Sequence, residues 1–243
     1  MSRFLPPAAS GHAGEIDFVL TLVHILMLAL FAGWATYFIW VLIRFRQRRQ
    51  PRADAAGAAG RFAFWIEVGV VVAEAVLLVV FALPLWFKRT AAQPSDAGAI
   101  VVRVVAEQFA WNVHYPGPDG RFGATSIALV TPTNPIGLDR NSPGAKDDIV
   151  VLGQLHLPVG RQVIVQLSSK DVIHSFGVPA MRVKQDAIPG LFTPVWFVPT
   201  RTGEFDIACS QLCGLAHYRM RGIITVESDD AFRTFLAEAA RQQ

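Results

Sequence analysis

Two cysteines, a histidine and a methionine lie together in one short segment of this chain. Cys209 and Cys213 are separated by three residues, His217 follows four residues after the second cysteine, and Met220 follows three residues after His217. Thiolate and thioether sulfurs are soft ligands that select copper or zinc, and imidazole suits both metals. We therefore expect a copper site in this segment, and two cysteines at this spacing could bridge two metal ions.

A copper site of this kind needs a second histidine from elsewhere in the chain. His174 is the best candidate, because the run S-S-K-D-V-I-H passes from polar residues through a β-branched pair and ends in a turn that could face the cysteine segment. Two other interpretations stay open. A disulfide between the cysteines is compatible with a position outside the cytosol, although it leaves both histidines and Met220 without a role. A structural Cys2His2 zinc site satisfies tetrahedral zinc, but such sites rarely recruit a thioether.

The N-terminal third of the chain has the composition of a membrane protein. The whole chain is 52% hydrophobic and 17% charged, which is too apolar for an ordinary soluble domain. Residues 18–43 contain no charged side chain apart from the titratable His24, and residues 62–87 are interrupted only by Glu67 and Glu74. At about 1.5 Å per residue, each run is long enough to cross a bilayer. We predict two transmembrane helices.

The segment between the two predicted spans is strongly basic. One acid, Asp54, is present there with six arginines: Arg44, Arg46, Arg48, Arg49, Arg52 and Arg61. The positive-inside rule places this loop in the cytoplasm, so both chain ends face outward. The net charge of +3 owes much to these arginines and indicates anionic lipid headgroups as the partner, with no nucleic acid. The first residues lack the features of a cleaved signal peptide, and we predict none.

Beyond Thr90 the sequence changes to short alternating runs that are broken by Gly, Pro and Asp. Strands are predicted at residues 100–105, 126–130, 149–157, 161–167, 193–198, 203–208 and 222–226. About seven short strands favour a β-sandwich or Greek-key barrel. Ser228 followed by two aspartates predicts the start of a short closing helix. The linker at residues 90–98 is the expected domain boundary.

These features together resemble one protein family. Two spans, then D-V-I-H-S-F-G-V-P, D-A-I-P-G and C-S-Q-L-C-G-L-A-H-Y-R-M, occur in the same order as in subunit II of haem-copper cytochrome c oxidases. The resemblance covers roughly residues 17–240. It implies a membrane-anchored all-β fold, in which a transmembrane helical hairpin (residues 1–90) precedes a periplasmic cupredoxin-like domain (residues 98–243).

The resemblance also implies a cofactor and an activity. The β domain is expected to hold the dinuclear copper centre called CuA, which accepts electrons from cytochrome c and passes them to haem in subunit I, where oxygen is reduced to water. The ligands carried over by position are His174, Cys209, Cys213, His217 and Met220, together with the backbone carbonyl of Gln211.

Gln211 departs from the family pattern. The family has a glutamate between the two cysteines, and its side chain helps to bind magnesium at the interface with subunit I. The neutral amide of Gln211 lacks the charge that a hard divalent cation favours, so magnesium binding is disfavoured here. The copper contact survives this change because it uses the backbone.

Three other residues take roles from the resemblance. Residues 108–115 resemble the aromatic patch where cytochrome c delivers its electron, with Phe109 in place of the family's tryptophan, and Trp111 could take over that role. Glu67 lies seventeen residues before Pro84, where the family has a glutamate at the cytoplasmic mouth of a proton pathway. The alternative for Glu67 is a carboxylate at headgroup level that only meets water.

The expected partners follow from the same resemblance. They are oxidase subunit I and other oxidase subunits, membrane lipid, and a separate cytochrome c or a cytochrome c-containing subunit, since no C-x-x-C-H haem-attachment motif follows the copper segment. The expected location is the inner membrane of a bacterial cell, with the β domain in the periplasm. A second hypothesis is a membrane-anchored CuA protein that serves a nitrous oxide reductase-like system, and a third is a zinc-bound anchor module.

Overall fold

The computed structural model describes residues 5–46, 60–91 and 94–243. The chain divides into two compact units, one formed by Glu15–Ala92 and the other by Met1–Gly14 together with Gln93–Gln243. The basic loop predicted to face the cytoplasm lies largely outside the described residues, including Arg48, Arg49, Arg52 and Asp54.

Two long apolar helices form the first unit. Helix α1 (Ala13–Arg44) and helix α2 (Arg61–Thr90) have 32 and 30 residues, and each is long and apolar enough to cross a membrane. An ion pair between Glu15 and Lys88 connects the start of α1 to the end of α2. Many large apolar side chains on both helices are exposed, including Phe31, Trp34, Phe38, Trp65 and Trp86. Such surfaces need an apolar environment, as expected for a membrane-anchored protein.

The second unit is a β-sandwich of ten strands. The strands are β1 (Ile100–Glu107), β2 (Ala110–Tyr115), β3 (Ile149–Leu152), β4 (Gln154–Pro158), β5 (Val163–Ser169), β6 (His174–Val178), β7 (Val183–Ala187), β8 (Thr193–Phe197), β9 (Gly203–Cys209) and β10 (Arg221–Glu227). One sheet has the order β3-β2-β1-β5-β8 and the other has the order β4-β10-β9-β6-β7. Helix α3 (Asp229–Ala240) follows, and the Ser228 side chain caps it by accepting from the Ala231 N–H.

The core lies between the two sheets and contains side chains from both. Along β1 every second residue, from Val102 to Ala106, is buried, and Ile224 and Val226 of β10 repeat this alternation in the other sheet. This is the period-2 pattern of strands that bury one face. Each fully buried large apolar side chain contributes about 1.5–3 kcal/mol to the free energy of unfolding. The sandwich therefore gives a rigid base to the loops at its ends.

The structure corrects two of the predicted strands. Residues 126–130 form a short helical turn (Ile127–Leu129), and the Asn134 side chain holds it by donating to the carbonyls of Leu129 and Leu138. The single strand predicted at residues 149–157 is two strands, because the chain breaks at Gly153, where φ is +70°. That glycine conformation lets the chain pass from one sheet to the other.

The segment before α1 belongs to the β unit. The Ala9 N–H donates to the carbonyl of Ala180 at 2.8 Å, and the Ala9 carbonyl accepts from the Thr200 N–H at 2.8 Å. The Ser10 hydroxyl donates to the carbonyl of Met181 at 2.7 Å. Ala9 and Ser10 are buried, so this segment is an added edge of the sandwich rather than a free tail.

A buried histidine–aspartate pair holds the long segment that follows β2. His114 Nε2 and Asp148 Oδ2 are 2.6 Å apart, and both side chains are almost fully buried. Burial lowers the pKa of His114, although the hydrogen bond that its imidazole makes to the Asp148 carboxylate opposes this effect. Ile136 and Leu138 of this segment pack with Ala145 against Val105 and Val150, on the outer face of the first sheet.

The His114 pair makes stability depend on pH. The unfolded chain binds a proton at this imidazole near its ordinary pKa of about 6.5, whereas the folded protein resists it, so stability falls as pH drops below that value. We expect His114→Gln to flatten this dependence below about pH 6.5. Thermal unfolding of the full chain, followed by circular dichroism at several pH values, measures the slope. An unchanged slope would show that another group causes the acid sensitivity.

Candidate metal centre

Three chain segments meet at one end of the second sheet and carry the candidate ligands. His174 is the first residue of β6, and Cys209 is the last residue of β9, which pairs with β6 on one side and β10 on the other. Met220 directly precedes β10, and its carbonyl accepts from the Cys209 N–H at 3.3 Å. The loop 210–219 that joins β9 to β10 carries the other ligands. Strand pairing thus brings distant residues to one place.

The donor atoms form a compact, largely buried cluster. Cys209 Sγ lies 3.8 Å from Cys213 Sγ and 3.9 Å from His174 Nδ1. Cys213 Sγ lies 3.6 Å from His217 Nδ1 and 3.8 Å from Met220 Sδ. His174, both cysteines and Met220 are buried, and His217 is partly exposed. The structure therefore unites all five side chains that the sequence proposed as ligands.

These distances fit a shared metal and do not fit a disulfide. Donor atoms bound tetrahedrally at about 2.3 Å to one metal ion lie about 3.8 Å apart. A disulfide requires an S–S distance of about 2.05 Å, whereas the sulfurs of Cys209 and Cys213 are 3.8 Å apart and both cysteines are free. The donor set of two thiols, two imidazoles and a thioether suits copper better than a hard cation.

Gln211 presents its backbone to the cluster and its side chain to solvent. Its carbonyl oxygen is 3.1 Å from Cys209 Sγ, while the residue as a whole is exposed. A neutral backbone oxygen is thus available as a further weak ligand.

The Cys213 thiol is protonated in the absence of metal. Burial and, to a smaller extent, the neighbouring Cys209 raise the pKa of the Cys213 thiol to about 11. Metals bind the thiolate, so metal binding at neutral pH must release protons from this site.

Asp171 orients His174. Its Oδ1 lies 2.8 Å from His174 Nε2, so the Nδ1 lone pair of the imidazole faces the sulfurs. Burial alone would raise the pKa of Asp171, but the hydrogen bonds from His174 and from the N–H groups of Gln108 and Val172 outweigh burial and lower it. The carboxylate therefore stays ionised and fixes the tautomer of the imidazole.

The other three predicted residues, Phe109, Trp111 and Glu67, are not among the clustered ligands. Phe109 lies in the turn between β1 and β2, partly buried beside Gly214 of the ligand loop. Trp111 is fully buried, and its ring centre is 6.2 Å from that of His174 and 5.7 Å from that of Phe176. Glu67 is exposed on α2 and belongs to the helical unit, whereas the ligands belong to the β unit.

Sequence reasoning missed two contributors to the site. Asp171 precedes His174 by three residues, and this short spacing was the available signal for a carboxylate–histidine pair. The apolar rim of the ligand loop, formed by Leu212, Leu215 and Tyr218, is highly exposed. These three residues are scattered between the ligands, so their sequence pattern does not indicate whether they point inward or outward.

Comparisons with known proteins all point to the same family. Residues 100–228 match the family described as "Cytochrome C oxidase subunit II, periplasmic domain". This range includes β1 to β10 and every candidate ligand. It is more than half of the chain.

Individual relatives extend the match to the helical unit. The alternative cytochrome c oxidase subunit 2 of Bradyrhizobium diazoefficiens is 34% identical over 93% of this chain and 80% of the relative. Cytochrome c oxidase subunit 2 of Cereibacter sphaeroides is 29% identical over 96% of this chain and 78% of the relative. The crystal structure of the periplasmic domain of subunit II of cytochrome oxidase from Bradyrhizobium japonicum covers 61% of this chain and 97% of its own, with 29% identity and a TM-score of 0.46. The chain belongs to the cytochrome c oxidase subunit II family.

Proposed function

We propose that the buried cluster holds a dinuclear copper centre, CuA, and that electrons from cytochrome c reach the haem of subunit I by way of this domain. As a subunit II, the chain is part of an oxidase complex, and oxygen is reduced elsewhere in that complex. The observation that carries the proposal is the convergence of two free thiols, two imidazoles and a thioether within one buried cluster.

The proposed ligands are His174, Cys209, the carbonyl of Gln211, Cys213, His217 and Met220. Bound copper would supply one-electron redox chemistry, for which two cysteines at this separation are suitable shared ligands. The protein contributes a buried site that excludes water and fixed ligand positions at the ends of paired strands. Rigid ligands favour electron transfer because little has to move when the charge changes.

The proposed site of electron arrival lies on the exposed face of the ligand loop. Leu212, Leu215 and Tyr218 are 81%, 98% and 83% exposed, which gives a partner an apolar contact surface directly over the cluster. Phe109 lies beside this loop and is the proposed first contact for the electron. Trp111 has no exposed surface, so its proposed part is as a buried neighbour of His174.

We also propose which membrane holds the chain, on which side of it the β domain lies, and what role Glu67 has. We place α1 and α2 (Ala13–Arg44 and Arg61–Thr90) as a two-span anchor in the inner membrane of a bacterial cell, with lipid around their apolar faces. Residues 98–243, together with the segment before α1, form the proposed periplasmic domain. Glu67 is exposed on an apolar helix. Because a carboxylate within a membrane is energetically costly, such a residue is a candidate for a functional role. Its proposed role is at the mouth of a proton pathway into subunit I.

The alternative hypotheses have less support. A nitrous oxide reductase-like system is not favoured, because the relatives are oxidase subunits over nearly the whole chain. A structural zinc site leaves the buried thioether of Met220 unexplained. Magnesium binding remains disfavoured, since the amide of Gln211 carries no charge.

Replacement of one shared thiolate tests the copper proposal. Cys213→Ser substitutes a hard hydroxyl for a soft ligand, so we expect loss of the electron-spin signal of an electron shared by two coppers and loss of cytochrome c oxidation, with membrane insertion unchanged. Ala216→Ser is the matched control, because it adds a hydroxyl in the same loop without removing a ligand. Normal cytochrome c oxidation by Cys213→Ser would contradict the assignment.

The partner of His174 can be tested separately. Asp171→Asn keeps the shape of the side chain but replaces one acceptor oxygen with a donor that faces another donor. We expect copper affinity to fall by about 10–100-fold, as measured by competition with a chelator. Asp206→Asn, at an exposed aspartate of β9 that pairs with Arg221, should leave the affinity unchanged. Equal affinities for both variants would show that the carboxylate does not support the ligand.

A further inference from the structure

The turn between β1 and β2 contacts both halves of the metal cluster through one residue. The backbone N–H of Gln108 donates to Asp171 Oδ2 at 2.6 Å, and its side-chain Nε2 donates to the carbonyl of Cys213 at 2.6 Å. Asp171 in turn holds His174. Gln108 thus joins the segment that carries the first histidine to the loop that carries the second cysteine.

A second observation shows how closely this turn packs against the ligand loop. Gly214 has φ of +141°, a backbone conformation that favours glycine, and a Cβ placed there would lie 2.8 Å from Gln108 Nε2 and 3.1 Å from the ring of Phe109. The loop therefore touches the turn directly after Cys213. Only a residue without a side chain permits this approach.

The ligand loop needs such a contact. Cys209 is held by its place at the end of β9, and Met220 is held at the start of β10. Cys213 lies in the middle of the connecting loop, outside any strand, and its neighbours Leu212 and Leu215 are exposed. The hydrogen bond from Gln108 is the contact that fixes the Cys213 backbone to the first sheet.

We infer that Gln108 is a positioning residue that clamps the His174 segment and the Cys213 loop at the separation required by the metal. This inference rests on the proposed function, since the clamp matters for chemistry only if the cluster binds copper. The side chain acts through a hydrogen bond to a ligand's backbone and touches neither copper nor substrate. Outer contacts of this kind typically change metal affinity about 10–100-fold when they are removed.

Two substitutions separate the hydrogen bond from the charge of the side chain. Gln108→Leu and Gln108→Glu both lack the N–H donor at the end of the side chain, while only the second is charged, and both keep the backbone donor to Asp171. The matched controls are Gln154→Leu and Gln154→Glu, at an exposed glutamine of β4. A shared effect of the two Gln108 variants therefore reports the lost donor.

The first measurement uses the metal-free full chain. Reaction of each cysteine with iodoacetamide is followed by mass spectrometry. A loosened loop opens more often, so we expect Cys213 to react about tenfold faster in both Gln108 variants, whereas Cys209, held in β9, should change much less. The Gln154 variants should match the parent protein. An unchanged Cys213 rate in the Gln108 variants would overturn the clamp.

The second measurement uses the copper-loaded full chain. We expect copper to pass to a chelator about tenfold faster from the Gln108 variants, with an altered electron-spin spectrum. Faster alkylation with unchanged copper release and spectrum would overturn the role of the clamp in metal binding. If Cys213 of the Gln108 variants reacts faster and the parent protein binds no copper, the clamp would be supported and the proposed CuA centre overturned.

Discussion

The position of β9 between β6 and β10 is the constraint on which the rest of the site depends. Because β9 pairs with both neighbours, Cys209 at its end lies beside His174 at the start of β6 and beside Met220 just before β10. These residues are far apart in sequence, yet ladder hydrogen bonds fix their separation. The loop 210–219 then needs to position only Cys213 and His217.

Burial of this cluster has a chemical cost that a metal can offset. The buried thiol of Cys213 resists ionisation, because burial raises its pKa to about 11. The imidazole of His174, in contrast, needs no deprotonation before it binds a metal. The ionised carboxylate of Asp171 stabilises the tautomer whose free nitrogen faces the sulfurs. The protein therefore prepares the nitrogen ligand of His174 in advance, while the Cys213 thiol loses its proton only when a cation arrives.

Much of this arrangement could be predicted from local patterns. The two apolar helices and most of the strands follow from hydropathy and alternation, and the spacing of the cysteines, His217 and Met220 indicates a metal loop. Strand β6 was missed because all its residues are buried, so it shows no alternation. The contacts of Gln108 with Asp171 and Cys213 join residues 63 and 105 positions apart, and no local pattern reports such pairs. Trp111 illustrates the same limit, because only the packing of the two sheets reveals that its ring is buried.

The buried cluster is proposed to hold two copper ions that share an electron. The most direct test is metal analysis of the purified full chain together with its electron-spin resonance spectrum. We expect two coppers per chain and a hyperfine pattern from one unpaired electron spread over both nuclei. A single bound copper with a spectrum localised on one nucleus, or a colourless protein that contains zinc, would contradict this proposal.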